Sequence, residues 1–316
     1  MAEHVVITLR TTGPLVIDDA RPGRRLIPVV LHVLSPARTR ARRVALAAIP
    51  LAALAFLAGC AGGGASADEA KPEASPTPFV TQNCGFTVTM DAPPTRIVTI
   101  KSTSTDMVAA LGLADRIVGA AFLDGPLPES LYAEVTPPIM EGKLPSQEAV
   151  LALRPDLVFA GWESNFTAEG AGDRAELESL GIASYVSPAA CRSADVPGPL
   201  TFDSLFGEIT EAGELLGAQD AAADVIAQQR EMLKGVTPST AGLTAAWYSS
   251  GRETPYMGAG TGAPQMVMDA LGLTNIFGDH AEAWLSVGWE RVIEAIPDVI
   301  VLVESPGNTI AAKIEL

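Results

Sequence analysis

Four tryptophans, at 162, 247, 284 and 289, are the side chains best suited to recognition chemistry in a chain whose aromatic content is only 5%. Each keeps polar company, in Trp162-Glu163-Ser164-Asn165, Trp247-Tyr248-Ser249-Ser250, and Trp284 with Ser286 ahead of Trp289. Indole faces stack on flat conjugated rings, and hydroxyls and amides beside them fix orientation. Core packing explains any single tryptophan equally well; the set favours ligand contact. Lys101-Ser102-Thr103 offers a cation for a phosphate or carboxylate, with an ordinary exposed lysine as the alternative. Gly258-x-Gly260-Thr261-Gly262 precedes a helix starting near Pro264, so its backbone N–H groups could cradle an anion. It lacks the spacing of a nucleotide fingerprint, and a plain loop is the commoner explanation.

Other chemistries find little support. There is no Gly-x-Ser-x-Gly elbow, and beyond residue 59 a single histidine, His280, would have to do all base work. No acid pair stands out, so no catalytic residue is assigned. One histidine and no Cys-x-x-Cys argue against a metal site, and no cofactor is implied. The net charge of −16 conceals a split: residues 1–59 carry eight arginines and three acids, leaving 13 basic against 34 acidic residues. Such a surface repels nucleic acid.

These residues need elements to position them, and an internal repeat supplies the plan. Met107-Val-Ala-Ala-Leu-Gly112-Leu113 is echoed by Met266-Val-Met-Asp-Ala-Leu-Gly272-Leu273. Glu148-Ala-Val150 through Pro155-Asp156-Leu157-Val158 matches Glu290-Arg-Val292 through Pro297-Asp298-Val299-Ile300. The first block is a helix end with glycine as its left-handed cap, followed by a strand. The second is a short helix, N-capped at Ser146 in the first copy, which a proline stops while pushing the preceding residue to extended geometry. The apolar runs after each Pro-Asp suit strands buried on both faces of a parallel sheet. Strands alternating with helices, twice over, predict two α/β lobes. Phe202, Leu205, Phe206, Ile209, Ala212, Leu215 and Leu216 recur at helical spacing until Gly217, and a second helix runs from about Gln219 to Lys234. The reading is an N-terminal lobe over 84–201, linking helices over 202–241 and a C-terminal lobe over 242–316. The second lobe is short, with thirteen residues after Val303, and is expected to be truncated.

In open α/β sheets ligands bind beyond the carboxyl ends of the strands. That rule selects Lys101, Ser102, Thr103, Trp162, Glu163, Ser164, Asn165 and Ser187 from the first lobe. From the second it selects Trp247, Tyr248, Ser249, Gly260 and Thr261, with Trp284 and Trp289 near the mouth.

Residues 1–59 read as a signal region. Arg38, Arg40, Arg42 and Arg43 precede the uncharged run Val44 to Leu57, which is too short for the roughly 30 Å hydrocarbon core and suits export. Leu57-Ala58-Gly59-Cys60 resembles a bacterial lipobox, making Cys60 the expected acylation site and 60–83 a flexible tether. Met1 to His32 lies upstream of a normal signal, has no clear periodicity and is excluded from the fold as a start assigned too early. In an oxidising compartment Cys84 and Cys191 favour a disulfide over two buried thiols.

The pattern Ser146-x-Glu148 through Leu153-x-Pro155-Asp156-Leu157-Val158 resembles the solute-binding proteins for siderophores, haem and cobalamin, and the likeness extends over about 84–316. It implies two Rossmann-like lobes joined by a single long helix, a monomer capturing a small molecule, and delivery to the permease and ATPase subunits of an ABC importer at the outer face of the cytoplasmic membrane. It also implies docking acids on each lobe, for which approximate alignment gives Glu169 and Glu290. Asn83-Cys84-Gly85, Thr99-Ile-Lys-Ser-Thr103, Gly161-Trp-Glu-Ser-Asn165, Ser187-Pro-Ala-Ala-Cys191 and Gly258 to Gln265 are similar to an actinobacterial subgroup importing a deazaflavin coenzyme precursor. An iron-siderophore or cobalamin carrier is the alternative within the family; an exported hydrolase or a structural envelope lipoprotein is the alternative outside it.

Overall fold

The computed structural model describes residues 5–9, 78–303 and 308–315; Cys60, the apolar run before it and the tether to residue 77 lie outside the described residues. The strands are β1 (Val5–Leu9), β2 (Phe79–Asn83), β3 (Phe86–Met90), β4 (Ile97–Ile100), β5 (Ile117–Ala121), β6 (Leu157–Ala160), β7 (Ala183–Val186), β8 (Thr244–Ser250), β9 (Tyr256–Gly258), β10 (Thr274–Asn275), β11 (Trp284–Ser286) and β12 (Val299–Val303). The helices are α1 (Ser102–Ala110), α2 (Glu129–Tyr132), α3 (Gln147–Ala152), α4 (Arg174–Ser179), α5 (Phe202–Leu216), α6 (Gln219–Lys234), α7 (Ala263–Ala270), α8 (Trp289–Ala295) and α9 (Ile310–Ile314).

The first sheet is parallel in the order β5-β4-β6-β7. Every residue of β4 and β6 is buried, as continuous apolar runs require when helices cover both faces. Ile97, Leu157, Phe159 and Tyr185 pack on one side with the buried face of α5, while Val98, Ile100, Val158 and Val186 pack on the other.

The second sheet repeats the plan: β10 and β12 flank β8 in parallel, as β5 and β6 flank β4. The Pro-Asp repeat now has a physical reason. Asp156 accepts bonds from Thr95 N–H and Oγ1 at 2.8 and 2.9 Å at the entry to β4. Asp298 accepts the same pair from Thr244, at the same distances, at the entry to β8. Each carboxylate thereby ties the strand it opens to the central strand beside it. Gly112 and Gly272 take the expected left-handed caps, with φ of 79° and 67°. The residues before the prolines do not become extended: Arg154 and Ile296 end their helices left-handed, at φ 47° and 46°. The steric clash with proline forbids the helical basin, and a chain that must reverse into a strand takes the compact alternative.

Two further boundaries differ from the sequence reading. Residues 79–83, assigned to the tether, form β2, which pairs with β3 around a two-residue turn at Cys84 and Gly85 with φ of 51° and 80°. Both positive values are what a hairpin turn of matching twist demands. Val5–Leu9, excluded from the fold, lies parallel to β12, in the place that β7 takes beside β6. Its Val-Val-Ile-Thr run has strong strand preference, and the edge of β12 accepts it.

Thr201 caps α5 in a reciprocal bond with Ser204, and Gly217 ends it in the left-handed conformation. A Cβ at Gly213 would stand 2.6 Å from that of Ala222, so the glycine lets α6 fold back against α5. Tyr185 Oη donates to Glu211 at 2.7 Å, fastening β7 to α5. Leu200 N–H donates to the Thr261 carbonyl at 2.8 Å, so the segment entering α5 touches the second lobe.

Candidate functional site

The carboxyl ends of the first sheet stand side by side. Lys101 N–H bonds the Ala121 carbonyl, Gly161 N–H that of Ile100, and Ser187 N–H that of Ala160, each continuing the ladder one residue past its strand. Lys101, Gly161-Trp162 and Ser187 are thus neighbours. Phe122 and Asp124, following β5, join them. The sequence reading passed over this pair, although the strand-end rule applied to Ile117–Ala121 would have found it.

Lys101 is not an exposed cation awaiting an anion. Its side chain is 2% exposed, its ammonium is paired with Asp124, and it lies 4.2 Å from the Phe122 ring centroid and 4.0 Å from that of Trp162. The two rings meet edge to face at 5.5 Å. Backbone at Lys101 takes φ 84° and ψ 149°, a region that side chains avoid, at a cost on the order of 1–3 kcal/mol. Phe122 is also left-handed, at φ 52°. Gly161 permits the cage: a Cβ there would come within 2.3 Å of Thr103 Oγ1 and 2.8 Å of Lys101 Cβ. Ser102 Oγ accepts the Asp124 N–H at 2.9 Å, and Asn165 Oδ1 accepts that of Trp162 at 3.1 Å. Trp162 itself is 45% exposed. Thr103 and Ser164 are exposed, Ser187 half-buried.

Glu163 turns toward the protein. Desolvation pushes its carboxyl up, but the Ser193 side chain, the Arg192 and Ser193 N–H groups and the Arg174 charge together hold it below the usual carboxylate range. Asp106, near Asp124, goes the other way: burial raises it, the Tyr132 hydroxyl bond opposes and the Asp124 charge adds. Cys84 and Cys191 are joined by a disulfide and buried.

In the second lobe the tryptophans divide. Trp247 is 9% exposed, packs with Met268, Leu273 and Val301, and serves the core; its buried indole N–H finds no partner among the described residues. Trp289 packs edge to face on buried Tyr248 at 5.0 Å and donates to the Arg252 carbonyl at 2.5 Å. Tyr248 Oη donates to the Gly251 carbonyl, and Ser249 accepts from Asn308 and Lys313, both missed in the sequence. Trp284 is half-buried and stacked at 5.6 Å and 12° on Tyr256, which is 40% exposed and pairs with Ser250 at the carboxyl end of β8. The glycine loop is no anion cradle. Ala259, Gly260 and Thr261 N–H groups donate to the carbonyls of Ala283, His280 and Glu282. Glu169 and Glu290 are both exposed. Among the described residues no three His, Cys, Asp or Glu side chains group to hold a metal ion.

Two α/β units with aromatic and polar groups at their strand ends define a solute-binding architecture. The family model for periplasmic binding proteins matches residues 97–314, and the chain belongs to that family. Its members are extracytoplasmic binding subunits of ABC importers and not enzymes. Similar solved structures include an ABC-type Fe3+-hydroxamate transport protein of Saccharomonospora viridis (28% identity, 76% of this chain and 85% of that one, TM-score 0.62). A periplasmic binding protein of Veillonella parvula shares 20% identity over 75% and 82% of the two chains, with a TM-score of 0.63. The periplasmic vitamin B12-binding protein of Vibrio cholerae shares 24% over 71% and 84%, at 0.50. A search among curated proteins finds no match.

Proposed function

We propose that this chain captures a flat conjugated molecule, a deazaflavin coenzyme precursor above the others, and presents it to an ABC permease. The observation that carries the reading is that exposed rings stand at strand ends of both sheets, Trp162 beside Phe122 in one and Tyr256 on Trp284 in the other. Processing and acylation at Cys60 would release β1 with the signal region and hold the monomer at the membrane, with Glu169 and Glu290 meeting the permease. Ser102, Ser164, Ser187 and Thr261 would orient the solute. The 28% likeness to the Fe3+-hydroxamate transport protein favours a ferric hydroxamate as the second reading.

The test is calorimetric titration of the full-length chain, and of the chain from Ala61 that lacks β1, with a deazaflavin precursor, a ferric hydroxamate and cobalamin. Saturable binding of the deazaflavin that is lost in Trp162→Ala supports the reading. Binding of the ferric hydroxamate or cobalamin alone would replace it.

A further inference from the structure

The geometry points to Lys101 as a specificity residue that never touches the solute: lodged beneath Trp162, its ammonium biases the exposed indole face toward electron-rich, anionic rings. This rests on the reading above that a conjugated ring binds there. The ammonium cannot reach a solute directly, since the side chain is 2% exposed and already paired with Asp124. It lies 4.0 Å from the centroid of an indole that remains 45% exposed, so the cation occupies the inner side and the open area lies toward the mouth.

An aromatic face carries negative charge density, and two electron-rich faces therefore stack poorly. A cation on the inner face draws that density inward and leaves the outer face less negative. An anionic ring then stacks where a bare indole would repel it, and a cationic ring loses its usual advantage. Asp124 limits the effect, but its carboxylate is 45% exposed and screened by water, whereas the ammonium is enclosed.

The arrangement is also expensive to build for mere packing. Lys101 and Phe122 both hold positive φ, at 84° and 52°, and Gly161 is needed to let the β6 end pass the lysine stem. A buried leucine would fill the space between two rings without a charge to neutralise. Strained backbone of this kind clusters at ligand sites, where the strain serves the site.

The experiment compares a hydroxylated 5-deazaflavin, at a pH where its phenol is ionised, with its O-methyl ether, which has the same ring and cannot ionise. Affinities are read by calorimetry on the wild type, Lys101→Met and Asp124→Asn. The wild type is expected to prefer the anion by about two- to fivefold, the size of one exposed cation–π contact, since the Asp124 carboxylate offsets part of the charge. Lys101→Met, which keeps the stem and removes the charge, should bring the ratio to about one. Asp124→Asn should widen it, and this arm stands even if Lys101→Met fails to fold. An unchanged ratio in Lys101→Met, or a narrowed one in Asp124→Asn, overturns the inference alone. Failure of the wild type to bind either ring removes the functional reading along with it.

Discussion

The disulfide between Cys84 and Cys191 joins residues 107 apart and ties the β2–β3 turn to the loop after β7. Replacing both by alanine opens that loop in the unfolded chain. With loop-closure entropy growing as the logarithm of loop length, a loop of this size corresponds to about 5 kcal/mol at 25 °C. Both side chains are buried beside Val186 and Phe166, so lost packing adds modestly to the loss. Domains of this size are stable by about 5–15 kcal/mol, so the double variant should be marginal. Urea unfolding followed by circular dichroism measures this. The expected result is a much lower midpoint with a steeper dependence on urea, because the uncrosslinked unfolded chain exposes more surface. An unchanged midpoint and slope would refute the reasoning, by showing that the unfolded chain gains no freedom from losing the bond.

Arg174 is buried and donates to Asn83 O and Oδ1 and to Ser184 Oγ and O at 2.6–3.1 Å, so Arg174→Met should cost about 2–4 kcal/mol in the same urea assay by stranding those acceptors. Glu208 is pushed up to about 7, chiefly by burial, with Glu211 adding and the Ala189 N–H opposing. Because the folded value lies above the unfolded one near 4.5, the folded state holds the extra proton in between and stability falls as pH rises through roughly 4.5–7. After discounting for its partial exposure the loss is about 1–2 kcal/mol, and Glu208→Gln should flatten that slope in melting curves taken across the window. Gly161→Ala places a methyl 2.3 Å from Thr103 Oγ1, so it should destabilise by about 1–3 kcal/mol and weaken ring binding in titrations, since the cage must open.

The elements were legible wherever local pattern and tertiary demand agreed. The apolar face of α5 was read residue by residue, and its buried set includes Phe206, Ile209, Ala212, Leu215 and Leu216. The left-handed glycines at 112 and 272, and the stop at Gly217, were equally plain. What escaped depended on long-range partners. β2 alternates weakly and became recognisable only through pairing with β3 and the Arg174 network; nothing local distinguishes it from a tether. Val5–Leu9 has strand composition but no neighbour in sequence to pair with. The site suffered in the same way. Spacing placed Lys101 and Trp162 at strand ends, but could not reveal that one lies inside the other's ring face, nor that Asp124 would be its counter-ion.

The two halves of the repeat also show why internal similarity predicts framework better than function. Asp156 and Asp298 do one job with matching geometry, each tying the strand it opens to the neighbour that strand pairs with. At the opposite, carboxyl ends the halves diverge. The first lobe encloses a lysine between Phe122 and Trp162, whereas the second buries Trp247 in its core and exposes Tyr256 against Trp284. Residues shared by the copies are therefore those that build the sheets, and residues that differ are those available to a solute. Cage and stacked pair lie on opposite halves of the repeat and have no counterpart in the other. If a ring is held between them, as proposed, it meets two different faces, which suits the orienting of an asymmetric molecule.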